Sequence, residues 1–305
     1  MSDPHSVPPD PSMIGGVPKA PFVRLPDPAT VFARRAKRLR MLATGSYLAS
    51  YLEFLAAISD AQSAILPELS EIRLPPPEFI ARARRFEMPP LDRNVMKPDA
   101  ALHDTCRRLF AALVPFPKPE AAQAALGRVR ALDDDRLDDS IAAALGDGIP
   151  AHAVADHVYV TAALQVHFAR LAAQMDANAF VPVGVGLCPV CGGRPVVSLV
   201  VGWYGAEGTR YASCMLCSTL WNEVRVKCLV CGSTKGVGYQ EIEGLGGTIK
   251  AETCDACGSY VKVLYEHKDP ALDPVADDVA SLGLDQLLRE SAYGRAGINP
   301  FLAGY

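Results

Sequence analysis

No stretch of this chain is long and apolar enough for a membrane helix, which takes about 20 residues. The longest uncharged run, residues 177–193, is broken by Pro182 and Pro189 and carries four glycines. The first twenty residues lack a basic start leading into an apolar run, and none follows the Arg34-Arg35 pair. No export signal and no membrane insertion are therefore expected, and a cytoplasmic location follows. A basic surplus is also missing. The net charge is −4 and the pI about 5.9, which removes the general electrostatic pull towards nucleic acid. Histidine is scarce, at six residues, and no Ser/His/Asp or paired-carboxylate arrangement stands out. No catalytic residues are expected, and the chain reads as a binding protein rather than an enzyme.

The 305 residues suggest about two domains. Residues 1–28 hold eight prolines and read as a disordered Pro-rich leader. A helical domain is expected over 29–180. Helices are predicted from Ala29, over Tyr47–Leu66, over 99–114, 118–130 and 135–146, and over 150–178, with a Pro-rich connection and one short helix at 67–98. In the first helix, Phe32, Ala36, Leu39 and Ala43 share one face. Arg34, Arg35, Lys37, Arg38 and Arg40 lie mainly on the other, as a solvated basic face or as a site for phosphate or an acidic partner. The acidic cluster at Asp133–Asp135, Asp138 and Asp139 lacks the alternation of a calcium loop and reads as helix capping. His157, Thr161, Leu164, Phe168, Leu171 and Met175 form a core stripe, while His157 and His167 do not share a face and so should not share a metal. Cys106, alone in a helix, reads as a small core residue.

After Phe180 the composition changes to glycine, β-branched residues and cysteine. Strands are predicted at 195–203, 209–213, 219–227, 236–243, 248–253 and 259–266. A domain over 185–268 is expected, then a C-terminal helix and tail over 269–305, with the helix at Pro274–Glu290. Eight of the nine cysteines form the pairs Cys188/Cys191, Cys214/Cys217, Cys228/Cys231 and Cys254/Cys257. The second set repeats the first after a shift of 40, with 22 residues inside each unit. Val190 matches Val230, and Gly192 matches Gly232.

A Cys-x-x-Cys turn offers two sulfurs to one ion, and a hairpin then brings a second turn opposite the first. Four sulfurs close a tetrahedral site, as in zinc ribbons and rubredoxin-like knuckles. A glycine after the second cysteine accepts the positive φ of the turn, and Ser218 is the exception to that pattern. Two metal ions are expected. Cys214/Cys217 could instead join Cys228/Cys231 across ten residues, and four unmetallated dithiols are the plain alternative. A thioredoxin-type site is a poor fit, because it needs a single exposed pair of low pKa. Zinc and iron both suit four thiolates. The Cys188-Pro189-Val190-Cys191-Gly192 knuckle favours iron over zinc. The expected fold class is α+β: an all-helical N-terminal domain, two tandem rubredoxin-like or zinc-ribbon four-cysteine modules, and a short C-terminal helix.

Zinc ribbons often bind nucleic acid, but residues 188–266 carry seven basic and seven acidic side chains before any thiolate charge is added. That balance argues against nucleic acid. A zinc-ribbon nucleic-acid-binding protein, or a one-electron or thiol oxidoreductase acting on a partner, remain the alternatives.

The run Gly208-Thr209-Arg210-Tyr211-Ala212-Ser213-Cys214-Met215-Leu216-Cys217, Trp221, and Val224-Arg225-Val226-Lys227-Cys228 resembles the formate dehydrogenase accessory protein FdhE family. So do Ala251-Glu252, Gly258-Ser259-Tyr260 and Lys262, the tail residues Ala276-Asp277-Asp278 and Asn299-Pro300-Phe301-Leu302, and Phe32–Ala36 with Tyr51–Leu55. The resemblance covers roughly residues 25–305. It implies a cytoplasmic helper that binds the formate dehydrogenase catalytic subunit, is needed for its activity, and carries rubredoxin-like iron. Arg210, Trp221, Arg225, Glu252 and Tyr260 flank the cysteines in the matching motif. They read as support for the small domain or as partner contacts.

Overall fold

The structure is a computed structural model and describes residues 20–302 apart from positions 245 and 298. The leader expected at residues 1–19 lies outside the described residues. Helix α1 (Pro28–Ala43) opens with proline at its first position, and the Asp27 carboxylate accepts the Ala29 amide at 3.1 Å. Helix α2 (Ala49–Ile65) returns along α1, and α3 (Pro77–Arg85) is the short helix of the Pro-rich connection. Then follow α4 (Ala100–Ala112), α5 (Glu120–Arg130) and α6 (Asp134–Leu145). Asp99 and Asp133 cap α4 and α6, so the acidic cluster at 133–139 does begin as a helix cap.

Helix α7 (Val154–Ala173) runs through the middle of this layer. Its stripe predicts one buried face, yet every residue from His157 to Ala169 is buried. Helices α1, α2, α4, α5 and α6 all pack on it, and a helix enclosed on all sides must be compatible with burial all round. Cys106 is fully buried, and burial pushes its thiol up to about 12, which suits a core residue.

The strands form one sheet. They are β1 (Val23–Arg24), β2 (Pro195–Val200), β3 (Arg210–Cys214), β4 (Leu220–Glu223), β5 (Val237–Gln240), β6 (Ile249–Cys254), β7 (Ser259–Tyr265) and β8 (Gly294–Arg295). The order is β1-β4-β3-β2-β7-β6-β5, with β8 also beside β7. Each cysteine module contributes three antiparallel strands, β4-β3-β2 and β7-β6-β5. The repeat therefore places two copies side by side in the same orientation, joined by the parallel pairing of β2 with β7.

Three expectations need correction. Residues 20–28 are not a disordered leader: Val23 pairs with Trp221, and Phe22 O accepts the Asn222 amide at 2.7 Å. Proline removes a donor only at its own position, so a two-residue edge strand fits between Pro21 and Pro26. The boundary expected between 180 and 185 is a boundary in the chain, not in the packing. Phe32, Leu164, Cys188, Val197 and Trp221 belong to one continuous core. The basic side of α1 is not wholly solvated either, because Arg35 and Arg38 turn inward. Arg38 makes a bidentate contact with Asp277 at 2.9 and 2.7 Å.

The C-terminal helix is split into α8 (Ala276–Ala280) and α9 (Leu282–Leu288). At the break, the Ser281 hydroxyl donates to the Asp277 carbonyl at 2.7 Å and accepts from Lys262 Nζ at 2.9 Å. Lys262 lies 3.2 Å from Asp278 and 2.5 Å from Asp285, and Arg295 meets the same two carboxylates at 2.5 and 2.6 Å. Two cations against two anions balance this interior cluster, which holds α8 and α9 to β7. Asp278 stays below the usual carboxylate range despite its burial, because Lys262 and Arg295 flank it. No helix among the described residues is long and apolar enough to cross a membrane.

Burial drives His167 down to about 4; Asp99 opposes that shift and Arg170 adds to it. The unfolded chain takes up this proton near pH 6.5, so between there and pH 4 it binds more protons than the native state. Stability supplied by neutral His167 is present above pH 6.5 and is lost as pH falls. By about pH 5.5 the loss is about 1.4 kcal/mol. Denaturant titrations of the wild type and His167→Gln at about pH 7.5 and about pH 5.5 should show the gap between them shifting by that amount towards the variant. A constant gap would contradict the burial argument.

Candidate metal centres

The four cysteine pairs combine within each repeat, not across repeats. Cys188, Cys191, Cys214 and Cys217 converge, as do Cys228, Cys231, Cys254 and Cys257, with all sulfurs of a set within 4.8 Å of one another. Across each set the sulfurs face at 3.6 and 3.4 Å in the first and at 3.7 and 3.7 Å in the second. A disulfide would need about 2.05 Å. A tetrahedral ion with metal–sulfur bonds of about 2.3 Å sets its sulfurs about 3.8 Å apart. The donors thus fit a four-thiolate ion, and two such sites could hold two metal ions. The spacing suits zinc and iron alike.

Local geometry explains the convergence. In each unit the first knuckle precedes a hairpin, β2–β3 or β5–β6, whose far strand carries the second knuckle back. Gly192, Gly232 and Gly258 follow their knuckles at φ between 63° and 75°. Ser218 takes φ 58° without being glycine. Its hydroxyl lies 3.5 Å from Arg35 Nη2, a contact from the helical layer that glycine could not make. Backbone amides also point at the sulfurs: Cys217 N–H at Cys214 and Val230 N–H at Cys228. The Thr219 hydroxyl lies 3.1 Å from the Cys217 sulfur.

The two sites differ in their surroundings. All four cysteines of the first are buried, whereas Cys231 and Cys257 of the second are exposed. The loop before α4 seals the first knuckle, with the Leu91 and Arg93 amides donating to the Val190 and Cys191 carbonyls at 2.9 and 3.1 Å. Gln165 of α7 seals the second, donating to the Met215 carbonyl at 3.0 Å and accepting from Arg35 at 3.1 Å. Without an ion, burial holds Cys188 well above the ordinary thiol range. Hydrogen bonds from Cys188, Cys191 and Cys217 hold Cys214 well below it. A cation at the centre satisfies all four sulfurs as thiolates.

The flanking residues singled out in the sequence lie mostly inside the protein. Arg210 is 1% exposed, and its guanidinium meets Glu252 at 2.8 Å, Ser198 at 3.1 Å and the Lys227 carbonyl at 2.9 Å. Burial raises the Glu252 carboxyl, against the pull of Arg210 and of the Tyr239 hydroxyl. Trp221 is buried on β4, and Tyr260 donates to Asp285 at 2.7 Å. Arg210 and Glu252 join the two modules, Trp221 packs against β1, and Tyr260 holds α9; all four are buried. Arg225 alone is exposed, between exposed Val224 and Val226. The sequence places Arg35 on a basic helix face rather than beside a knuckle, and gives no signal for Gln165 or the Leu91–Arg93 loop; each lies far along the chain from the cysteines it serves.

Zinc-loaded protein challenged with a chelator should release one equivalent quickly from the second site and the other slowly. Cys257→Ser should remove the fast phase while the helical far-ultraviolet signal stays. Cys188→Ser should prevent stable folding, since a structural site contributes on the order of 10 kcal/mol, as much as a whole domain's net stability. Equal release rates from both sites would contradict the difference in burial.

Comparison with known proteins matches every part of this arrangement. Residues 20–185 match the family described as FdhE, N-terminal; 187–225 match the FdhE central domain; and 226–302 match the FdhE C-terminal domain. The last boundary falls between the two cysteine modules. The chain is 51% identical to a protein FdhE homolog of Rhizobium meliloti, covering 98% of each chain. It is 35% identical to protein FdhE of Salmonella enteritidis, over 94% of this chain and 91% of that protein. The crystal structure of the FdhE protein from Pseudomonas aeruginosa is similar with a TM-score of 0.83 at 32% identity, covering 93% of this chain and 99% of that one. On these grounds the chain belongs to the FdhE family.

Proposed function

We propose that this protein is a cytoplasmic accessory factor that binds the formate dehydrogenase catalytic subunit and is needed for its activity. The observation that carries this reading is the match to all three FdhE segments along the described chain. The second cysteine site adds support, because it lies at the surface, where a partner can reach it. Gly232, next to Cys231, faces Val185 and Lys227, and Val185, Val224 and Val226 are all exposed. Arg225 stands within this apolar stretch and is the contact retained from the motif. Arg210 and Glu252 serve instead to join the modules, while Trp221 and Tyr260 pack against β1 and α9. The proposed occupant of both sites is iron in rubredoxin-like coordination. Bound iron would supply one-electron chemistry, whereas zinc would supply structure alone.

Deleting the gene should lower formate oxidation while synthesis of the catalytic subunit continues. Co-purification should recover that subunit, and Arg225→Glu should weaken the complex by about tenfold or more if this arginine is a hot spot. Added salt should weaken it further. Protein purified without oxygen and then exposed to air should turn red if iron fills the sites. Colourless protein with two zinc ions would overturn the iron assignment. Normal formate oxidation in the deletion strain, or selective capture of DNA or RNA, would overturn the function.

A further inference from the structure

A cavity of about 350 Å³ opens between the start of α1, the first metal centre and the segment before α8. This is within the range of small-ligand sites, about 300–1,000 Å³. Cys214 forms part of its wall, and Arg24, Arg34, Arg35, Trp203, Ser213 and Ser218 line it. Leu25, Val31, Leu199 and Val275 supply an apolar side.

The polar groups here have donors to spare. Arg35 is 2% exposed, yet its Nε–H has no hydrogen-bond acceptor; the nearest carboxylate oxygen, on Asp273, is 3.5 Å away. Arg34 is exposed and has no ion-pair or hydrogen-bond partner among the described residues. Arg24 stacks on Trp203 at 3.9 Å, which leaves its N–H edge free of the ring. The carboxylates facing the cavity are already engaged. Asp27 caps α1, Asp273 accepts the Val275 and Ala276 amides, and Glu266 faces the Gly202 amide at 3.4 Å. Three guanidinium groups and three carboxylates thus line the same space, but Asp273 pairs with Arg35, Asp27 and Glu266 accept local hydrogen bonds, and Arg34 is the cation left without a partner among the described residues. A planar fork of N–H donors suits a carboxylate or a phosphate, and the Trp203 ring with the apolar side suits an unsaturated or aromatic body.

We propose that this cavity binds a small organic anion: a carboxylate or phosphate group held by Arg34 and Arg35, with its apolar body against Trp203. The proposal is independent of the formate dehydrogenase reading and can fail separately from it.

The test uses full-length, metal-loaded protein and the fluorescence of Trp203, with benzoate and phenyl phosphate as probes and benzyl alcohol as the neutral analogue, at constant ionic strength. Saturable quenching by the anions and none by the alcohol is expected, and the tighter of the two anions identifies the head group. Arg34→Gln should weaken binding about tenfold or more, the scale of a lost charge-assisted hydrogen bond. Arg40→Gln removes the same charge from the same helix, where Arg40 pairs with Asp60, and should leave binding unchanged. Trp203→Phe should abolish the optical signal while calorimetry still detects binding. Because Arg35 is buried in the core and its substitution threatens folding, exposed Arg34 carries the test. Failure of both anions to bind, equal binding of the alcohol, or equal loss in Arg34→Gln and Arg40→Gln would overturn the proposal.

Discussion

Four buried sulfurs, enclosed between a helical layer and a sheet, are the constraint from which the rest of the fold follows. Buried thiolates are stable only around a cation, and a four-thiolate centre still carries excess negative charge. The protein surrounds the first centre with donors: amides within the knuckles, the Thr219 hydroxyl, and Arg35 braced by Gln165. Arg35 comes from α1 and Gln165 from α7, so these helices are positioned as much by the cysteine site as by their own apolar faces. This is why one core runs through both layers, with no seam between a helical domain and a metal domain.

The repeat shows how identical local chemistry gives unequal sites. Each unit has the same spacing and the same three-strand arrangement. The first is covered by the Leu91–Arg93 loop, α7 and β1, while the second ends the sheet at β5. Coverage, not ligand identity, separates an enclosed centre from one with two exposed cysteines. The enclosed centre cannot exchange its ion or meet a partner without opening the core, so any such traffic falls to the second.

The four-cysteine clusters were legible because knuckle spacing is a local property written along the chain. The helices and the six main strands were legible for the same reason: caps, periodicity and glycine positions are local. The parallel pairing of β2 with β7 left no such mark. It depends on two copies meeting edge to edge, and it is what buries Arg210 against Glu252. Read next to the cysteines, these residues resemble surface contacts; joined across the sheet, they become an interior ion pair. Strand β1 was illegible because two residues among prolines carry no period. The inward turn of Arg35 and Arg38 was illegible because their partners, Gln165 and Asp277, lie 130 and 239 residues away.

The buried charges also make the two modules move as one. Removing one partner of a buried ion pair costs about 3–5 kcal/mol, because the other charge is left uncompensated. The Arg210–Glu252 pair bridges the modules, and the Lys262, Asp278, Asp285 and Arg295 cluster fastens α8 and α9 to the strand that joins them. Arg38 and Asp277 then tie the same segment back to α1. Sliding the second module against the first would have to break these contacts together, in a low-dielectric interior where each is expensive to lose. The exposed second centre is therefore presented on a rigid support rather than on a swinging arm. A partner that docks there meets a preformed surface, and its binding need not be spent on ordering the protein that receives it.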